Sequence, residues 1–176
     1  TFANEGMRRS PRFVTRIEDA EGNVLASFSP HIQHVISRDA AWKMVELMRG
    51  VMDGGTGSRM RFKYNIKSPM GGKTGTTNDN SDGWFVGYTP SLAFGAWVGG
   101  DERDVHFASM NYGQGAASAL PVVGIFLNKV YADETLGYDR NEEFELPQEI
   151  AATWLEAQEA AAEPDSIDIE DIPMNP

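Results

Sequence analysis

The sequence predicts an α+β fold, an antiparallel sheet packed against helices, and three observations carry that expectation. Residues 83–88, Gly-Trp-Phe-Val-Gly-Tyr, and 91–99, Ser-Leu-Ala-Phe-Gly-Ala-Trp-Val-Gly, read as strands. The short Thr89-Pro90 link between them leaves only an antiparallel pairing. Two further segments, 38–52 and 118–131, carry apolar residues in patterns that belong to helices.

Taken in order, residues 12–18, Arg-Phe-Val-Thr-Arg-Ile-Glu, alternate in the strand manner, and residues 23–28 do so again. The turn-rich Asp19-Ala20-Glu21-Gly22-Asn23 between them predicts a β-hairpin over 12–28. Ser37 is placed to cap a helix starting at Arg38, with Asp39 favourable in its first turn. Trp42, Val45, Met48 and Met52, with Met44, Leu47 and Val51 beside them, make a wide apolar stripe, so this helix is expected to be mostly buried. Gly54-Gly55 ends it, and 54–58 form a tight loop. Pro69 and Gly71-Gly72 argue against helix before a third strand at 72–77. Residues 101–117 read as loop. From Ser118 to Tyr131 the chain is apolar on nearly all sides, with Pro121 in the first turn, which predicts a buried helix. Residues 148–162, rich in Ala and Glu, suit a weakly amphipathic helix. Residues 163–176 carry five acidic residues and three prolines and are expected to be disordered. The organisation read from this is a globular portion over 1–147 and an acidic tail over 148–176.

The 176 residues fit one domain with a tail, and a chain of this size buries roughly 70% of its unfolded surface. The formal net charge of -11 makes nucleic acid and anionic lipid poor partners. The absence of cysteine excludes disulfides and thiolate metal sites. No apolar run approaches the ~20 residues that span a bilayer, and no signal peptide stands at the start. The chain opens on Thr1 rather than Met, which suggests a piece of a longer protein.

The most informative stretch is Gly71-Gly72-Lys73-Thr74-Gly75-Thr76-Thr77. It sets a cation, several hydroxyls and backbone N–H groups on one extended segment, a set that suits an anionic or carbonyl-bearing ligand. Gly75 would let that ligand lie close to the strand. A phosphate-binding loop is the rival reading, since Gly72-Lys73-Thr74 matches the end of Gly-x-x-x-x-Gly-Lys-Thr. Its first glycine would stand at Lys67, however, and Gly75 to Asn80 is poor helix sequence. The bland reading is a Thr-rich edge strand with a solvated lysine. Elsewhere, His31-x-x-His34 lacks the i, i+4 spacing and third ligand of a helical metal pair. Asp101, Glu102 and Asp104 read as a solvated loop. Trp84, Phe85, Phe94 and Trp97 at strand spacing read as sheet core rather than a stacking platform.

The residues after the motif decide among these readings. Lys-Thr-Gly-Thr-Thr runs into Asn78-Asp79, then Asp82-Gly83-Trp84-Phe85-Val86-Gly87-Tyr88-Thr89-Pro90, then Ala96-Trp97-Val98-Gly99-Gly100-Asp101. This order resembles the C-terminal transpeptidase segment of the bifunctional, class A penicillin-binding proteins. Thr1 to Gly6, Met48 to Met52 with Gly55-Thr56-Gly57, and Ala117 to Phe126 resemble further parts of that domain. The resemblance covers about residues 1–132 and implies a partial β-lactamase/transpeptidase-like fold.

In that family a serine attacks a peptidoglycan stem peptide, or a β-lactam mimicking it, and an amine from a second stem peptide resolves the acyl-enzyme. The resemblance implies that Lys73 orients the substrate carboxylate and the proton-relay hydroxyl. It implies that Thr74 and Thr76 hydrogen-bond the substrate, that Gly75 and Thr77 complete the substrate-binding strand, and that the Thr76 backbone N–H is one oxyanion donor. No serine stands three residues before any lysine, so Ser-x-x-Lys is absent. Ser109-Met110-Asn111 matches Ser-x-Asn in letters, but the family places that motif before Lys-Thr-Gly, so it reads as chance. The implied parent is a D,D-transpeptidase with an upstream glycosyltransferase domain and a membrane anchor, working on the periplasmic face of the cell membrane. This chain alone is expected to be inactive. Its expected partners are stem peptides, β-lactams, the upstream half of its own domain and further copies of itself, with no cofactor or metal. A serine β-lactamase or D,D-carboxypeptidase relative, and a non-enzymatic peptidoglycan-peptide binding module, stay open as alternatives.

Overall fold

A computed structural model of the chain describes residues 1–162. The expectation for 163–176 lies outside the described residues. Two units are present, Thr1–Glu145 and one beginning at Leu146.

The first unit opens with a two-stranded ribbon longer than the hairpin read from sequence. Strands β1 (Met7–Arg9) and β4 (Ile32–His34) pair at its base, and β2 (Arg16–Glu18) and β3 (Val24–Ser27) pair beyond them. Asp19 explains the turn between β2 and β3. Its carboxylate accepts the N–H groups of Glu21 and Asn23 and the Asn23 side-chain amide, at 2.7–3.1 Å. The Asn23 bonds hold that carboxyl below the usual range.

Helix α1 (Arg38–Asp53) begins where the cap predicts, Ser37 Oγ accepting from the Ala40 N–H at 3.2 Å. It buries Ala41, Trp42, Val45 and Met52, while Leu47 is exposed. A short helix α2 (Arg59–Phe62), not anticipated from sequence, contributes Met60. Strands β5 (Gly71–Thr76), β6 (Asp82–Tyr88) and β7 (Ala93–Gly99) then form a three-stranded antiparallel sheet in the order β5-β6-β7. The stretch read as loop after β7 contains helix α3 (Met110–Gly113), and α4 (Ala119–Ala132) comes next.

One core joins these pieces. Met52, Met60, Ile66, Met70, Phe85, Ala119, Leu120, Val123 and Leu127 pack as a single buried cluster under one face of the sheet. Two expectations change here. Helix α4 is buried along one side only, because Val122, Ile125 and Phe126 face solvent. The aromatic strand residues divide between the two faces: Phe85 is buried and Phe94 packs on the core, whereas Trp84 and Trp97 are 46% and 44% exposed on the opposite face. Period-2 alternation forces that division, since neighbours in a strand point opposite ways. The second unit's described element is α5 (Gln148–Ala162).

Tyr88 ends β6 with its ring edge-on to Phe144, centroids 5.9 Å apart. Its hydroxyl is buried without a hydrogen-bond partner among the described residues. Burial, helped by the nearby Glu46 charge, pushes the phenol up to about 12. An absorbance titration is therefore expected to show one of the five tyrosines ionising near 12. The phenol's folded value lies above its ordinary one, so it adds no pH dependence to stability below about pH 10, and stability falls as pH rises from there through its folded value. Tyr88→Phe should remove that late step and leave the urea midpoint equal or higher, since an unpaired buried hydroxyl only costs stability. A lower midpoint would show that the hydroxyl is bonded.

Candidate functional site

Strand β5 reads Gly-Gly-Lys-Thr-Gly-Thr, and its pairing with β6 fixes where each side chain goes. Thr74 stands opposite Phe85 and Thr76 opposite Gly83; Lys73 stands opposite Val86 and Gly75 opposite Trp84. Directly opposed residues share a face. Thr74 and Thr76 therefore lie on the Phe85 face, and Lys73 and Gly75 on the face that carries Trp84 and Trp97. Among the described residues β5 is an edge strand, paired to β6 and to nothing on its other side. Alternate N–H and C=O groups along that edge are thus left for an extended partner.

The structure gives each expected site residue a distinct setting. The Lys73 side chain is exposed, and no carboxylate pairs with it among the described residues; its ammonium donates to the Thr74 carbonyl at 2.9 Å. Thr74 Oγ1 lies 2.9 Å from Thr56 Oγ1, so the Gly55-Thr56-Gly57 loop between α1 and α2 reaches the motif directly. Thr76 Oγ1 accepts the Gly115 backbone N–H at 3.1 Å. Thr77 is arranged differently from a free substrate-binding hydroxyl. Its Oγ1 accepts the Asp82 N–H at 2.9 Å and contacts Ser81 Oγ at 2.9 Å and Asp82 Oδ2 at 3.1 Å. It is engaged inside the turn from β5 to β6.

Four residues of this arrangement were not picked out as site residues by the sequence reading: Thr56, Gly115, Asp82 and Trp97. Gly115 is where a side chain is least tolerable. A Cβ there would run into the backbone carbonyl oxygens of Trp84 and Gly75. Its own carbonyl accepts the first N–H groups of α4, from Ala119 at 3.1 Å and Leu120 at 2.9 Å. Arg59 Nη1 donates to the Ala116 carbonyl at 3.0 Å, tying α2 to the same loop. The signal available in sequence was the run of small residues from Gly113 to Ala117.

His31 and His34 sit on the exposed ribbon, and among the described residues no group of three His, Asp or Glu is placed to hold a metal ion. Asp101, Glu102 and Asp104 are exposed, as read. Ser109-Met110-Asn111 lies at the start of α3.

The family model of the penicillin binding protein transpeptidase domain matches residues 1–120. The chain belongs to that family. It is 36% identical over 148 residues to penicillin-binding protein 1A of Aquifex aeolicus, a match spanning 84% of this chain and 19% of that protein. It is 38% identical over 124 residues to penicillin-binding protein 2a of Streptococcus pneumoniae, spanning 66% of this chain and 16% of that one. The crystal structure of penicillin-binding protein 1A from Haemophilus influenzae shares its fold with a TM-score of 0.69 at 22% identity, over 84% of this chain and 26% of that one. The penicillin-binding protein PonA1 from Mycobacterium tuberculosis matches with a TM-score of 0.59 at 28% identity, over 84% and 39% respectively. The chain spans less than a fifth of the length of those two curated relatives and corresponds to part of a class A transpeptidase domain.

Gly115→Ala is expected to lower stability by about 1–3 kcal/mol, because the added methyl must push the loop off β5 and β6. Gly54→Ala, where a Cβ meets nothing within 4 Å, should be near neutral. Paired urea denaturation curves check the contrast.

Proposed function

We propose that this chain forms one wall of the acyl-transfer site of a peptidoglycan D,D-transpeptidase. The observation that carries the reading is Lys73, an exposed cation with no carboxylate partner among the described residues, on a strand edge that is open among those residues and whose two threonine side chains are already fixed by Thr56 and Gly115. An extended stem peptide would add to the free edge of β5 as a further strand, with main-chain hydrogen bonds aligning it. Its carboxylate would meet the Lys73 ammonium. Gly75 leaves room above the strand, Thr74 and Thr76 offer hydroxyls, and Thr77 fixes the strand end from within the turn. The Thr76 N–H shares its parity with the Thr74 carbonyl, the outward group that Lys73 reaches, so it too would point outward, as an oxyanion donor must. β-Lactams would bind by the same contacts.

The attacking serine would come from another part of the parent, because this chain contains no Ser-x-x-Lys. We infer a parent with an upstream glycosyltransferase domain, anchored in the membrane and working on its extracytoplasmic face. Within the described residues no helix is long and apolar enough to cross a membrane. In the parent, the upstream half of the domain would meet the sheet face that exposes Trp84, Val86 and Trp97.

Incubated with a labelled penicillin, the isolated chain should show no covalent adduct by intact mass, while the parent takes up one label. A stoichiometric adduct on the chain itself would falsify this division of labour. Lys73→Ala in the parent should slow acylation about 100-fold or more, the scale of one lost charge-stabilising contact. At high concentration the isolated chain should self-associate through its exposed apolar face; a monomer by light scattering would count against that face needing cover.

A further inference from the structure

We propose that Asp82 is a positioning residue of the acyl-transfer site, acting through the β5–β6 turn, with Trp97 holding its carboxylate in place. The proposal rests on the reading of β5 as a transpeptidase substrate strand and adds a residue outside that strand.

The turn needs an anchor. Residues 77–81 contain no apolar side chain, so hydrophobic burial cannot fix their shape. Asp79 and Asn80 both sit at φ 59°, the left-handed region, where each L residue is held against its preference. Such a conformation persists only when its surroundings over-determine it. Here the surroundings are the Asn80 N–H bonded to the Thr77 carbonyl at 3.3 Å, the Phe107 N–H bonded to the Asn80 carbonyl at 3.4 Å, and a set of hydrogen bonds converging on Asp82 at the end of the turn. The backbones close first, Thr77 N–H donating to the Asp82 carbonyl at 3.1 Å. Asp82 N–H then donates to Thr77 Oγ1 at 2.9 Å. The carboxylate takes the rest: Oδ2 lies 3.1 Å from Thr77 Oγ1 and 3.2 Å from Ser81 Oγ, and Oδ1 accepts the Trp97 indole N–H at 2.8 Å. An ionised carboxylate accepts on both oxygens and makes bonds roughly twice as strong as neutral pairs.

Trp97 decides what the turn is fastened to. It lies on β7, two strands away from β5, and stands opposite Trp84 with ring centroids 6.3 Å apart. From there its indole reaches the diagonal neighbour Asp82 on the same sheet face. The turn after Thr76 is thereby tied across β6 to the far strand. Gly115 holds the Thr76 side chain from the other face. Thr76, whose N–H is the proposed oxyanion donor, is fixed from both sides. Reaction rates depend on such placement to within about 0.5 Å.

Asp82 is also a negative charge against Thr77, the residue after the proposed oxyanion donor, and on electrostatic grounds alone it would oppose the reaction. A merely electrostatic Asp82 would make its removal helpful; a positioning Asp82 makes its removal harmful. The Trp97 bond, then those from Thr77 and Ser81, with Arg103 the charged group whose field reaches it, hold the Asp82 carboxyl below its usual range. Its contribution to the turn is present above about pH 3.9 and lost as pH falls through its lowered folded value.

The test has two arms. In the parent protein, β-lactam acylation is measured over a concentration series that separates reversible binding from the limiting acylation rate. Asp82→Asn and Trp97→Phe should each lower the limiting rate at least ten-fold with little change in the binding constant. In the 176-residue chain, amide NMR should show the Trp97 indole and the Thr76 and Thr77 N–H signals shifting together with one acid midpoint, absent in Asp82→Asn. If Asp82→Ala fails to fold, these two milder variants still decide. Wild-type acylation rates in both, or Thr76 and Thr77 signals indifferent to the titration, would overturn the positioning role. If the wild-type parent takes up no β-lactam while the NMR coupling is intact, the transpeptidase reading is what fails, and the role built on it falls with it.

Discussion

Phe85 lies fully buried in a cluster with Met52, Met60, Met70, Leu120 and Leu127, and the strand that carries it cannot slip by one residue without exchanging that ring for Trp84 or Val86. Burying one such ring contributes about 1.5–3 kcal/mol. A slip would also turn every other side chain of β6 over. Because β6 is the middle strand, its parity sets that of both neighbours. On β5 it sends Thr74 and Thr76 to the core side, where Thr56 and Gly115 can reach them, and Lys73 to the side where nothing among the described residues neutralises it. The chemistry of the edge strand is therefore a consequence of one phenylalanine on the strand beside it.

The same parity creates the exposed face. Trp84 and Trp97 are large apolar side chains left half in water, with Val86 beside them. In a monomer such a patch calls for a cover. Trp97 is not idle in the meantime. Its indole N–H is bonded to Asp82, so one end of the ring serves the turn while the ring body waits on the surface. Helix α4 shows the corresponding division, with Leu120, Val123 and Leu127 inside and Val122, Ile125 and Phe126 outside.

Much of this was legible in the sequence, and the misses have physical causes. Strands β5, β6 and β7 and helices α1 and α4 lie within a residue or two of where alternation, caps and glycines put them. Ser37 caps α1 because its side chain needs only local neighbours to act. The exposures of Trp84, Trp97 and Phe126 were misread because hydrophobicity says which residues prefer burial, and not whether a partner surface is present in this chain. Helix α2 was missed because four residues carry too little periodicity to read. Within the site, Lys73 to Thr76 stood out because their residue types cluster in sequence. Thr56, Gly115 and Asp82 did not, because their roles arise from contacts between segments 5 to 39 residues apart.

Those contacts explain how the strand edge stays ordered although, among the described residues, β6 alone pairs with it. An edge strand with three glycines among the seven residues 71–77 has little intrinsic stiffness. Three outside elements supply it: the α1–α2 loop through Thr56, the loop before α4 through Gly115, and β7 through Trp97 and Asp82. None of the three uses the outward-facing edge, and none neutralises Lys73. The strand is thus braced through its threonine side chains and the turn that follows it, and among the described residues its outward edge is left open. On the proposed function, bracing of that kind would remove ordering entropy from the binding step and let contact energy act on the reacting group instead.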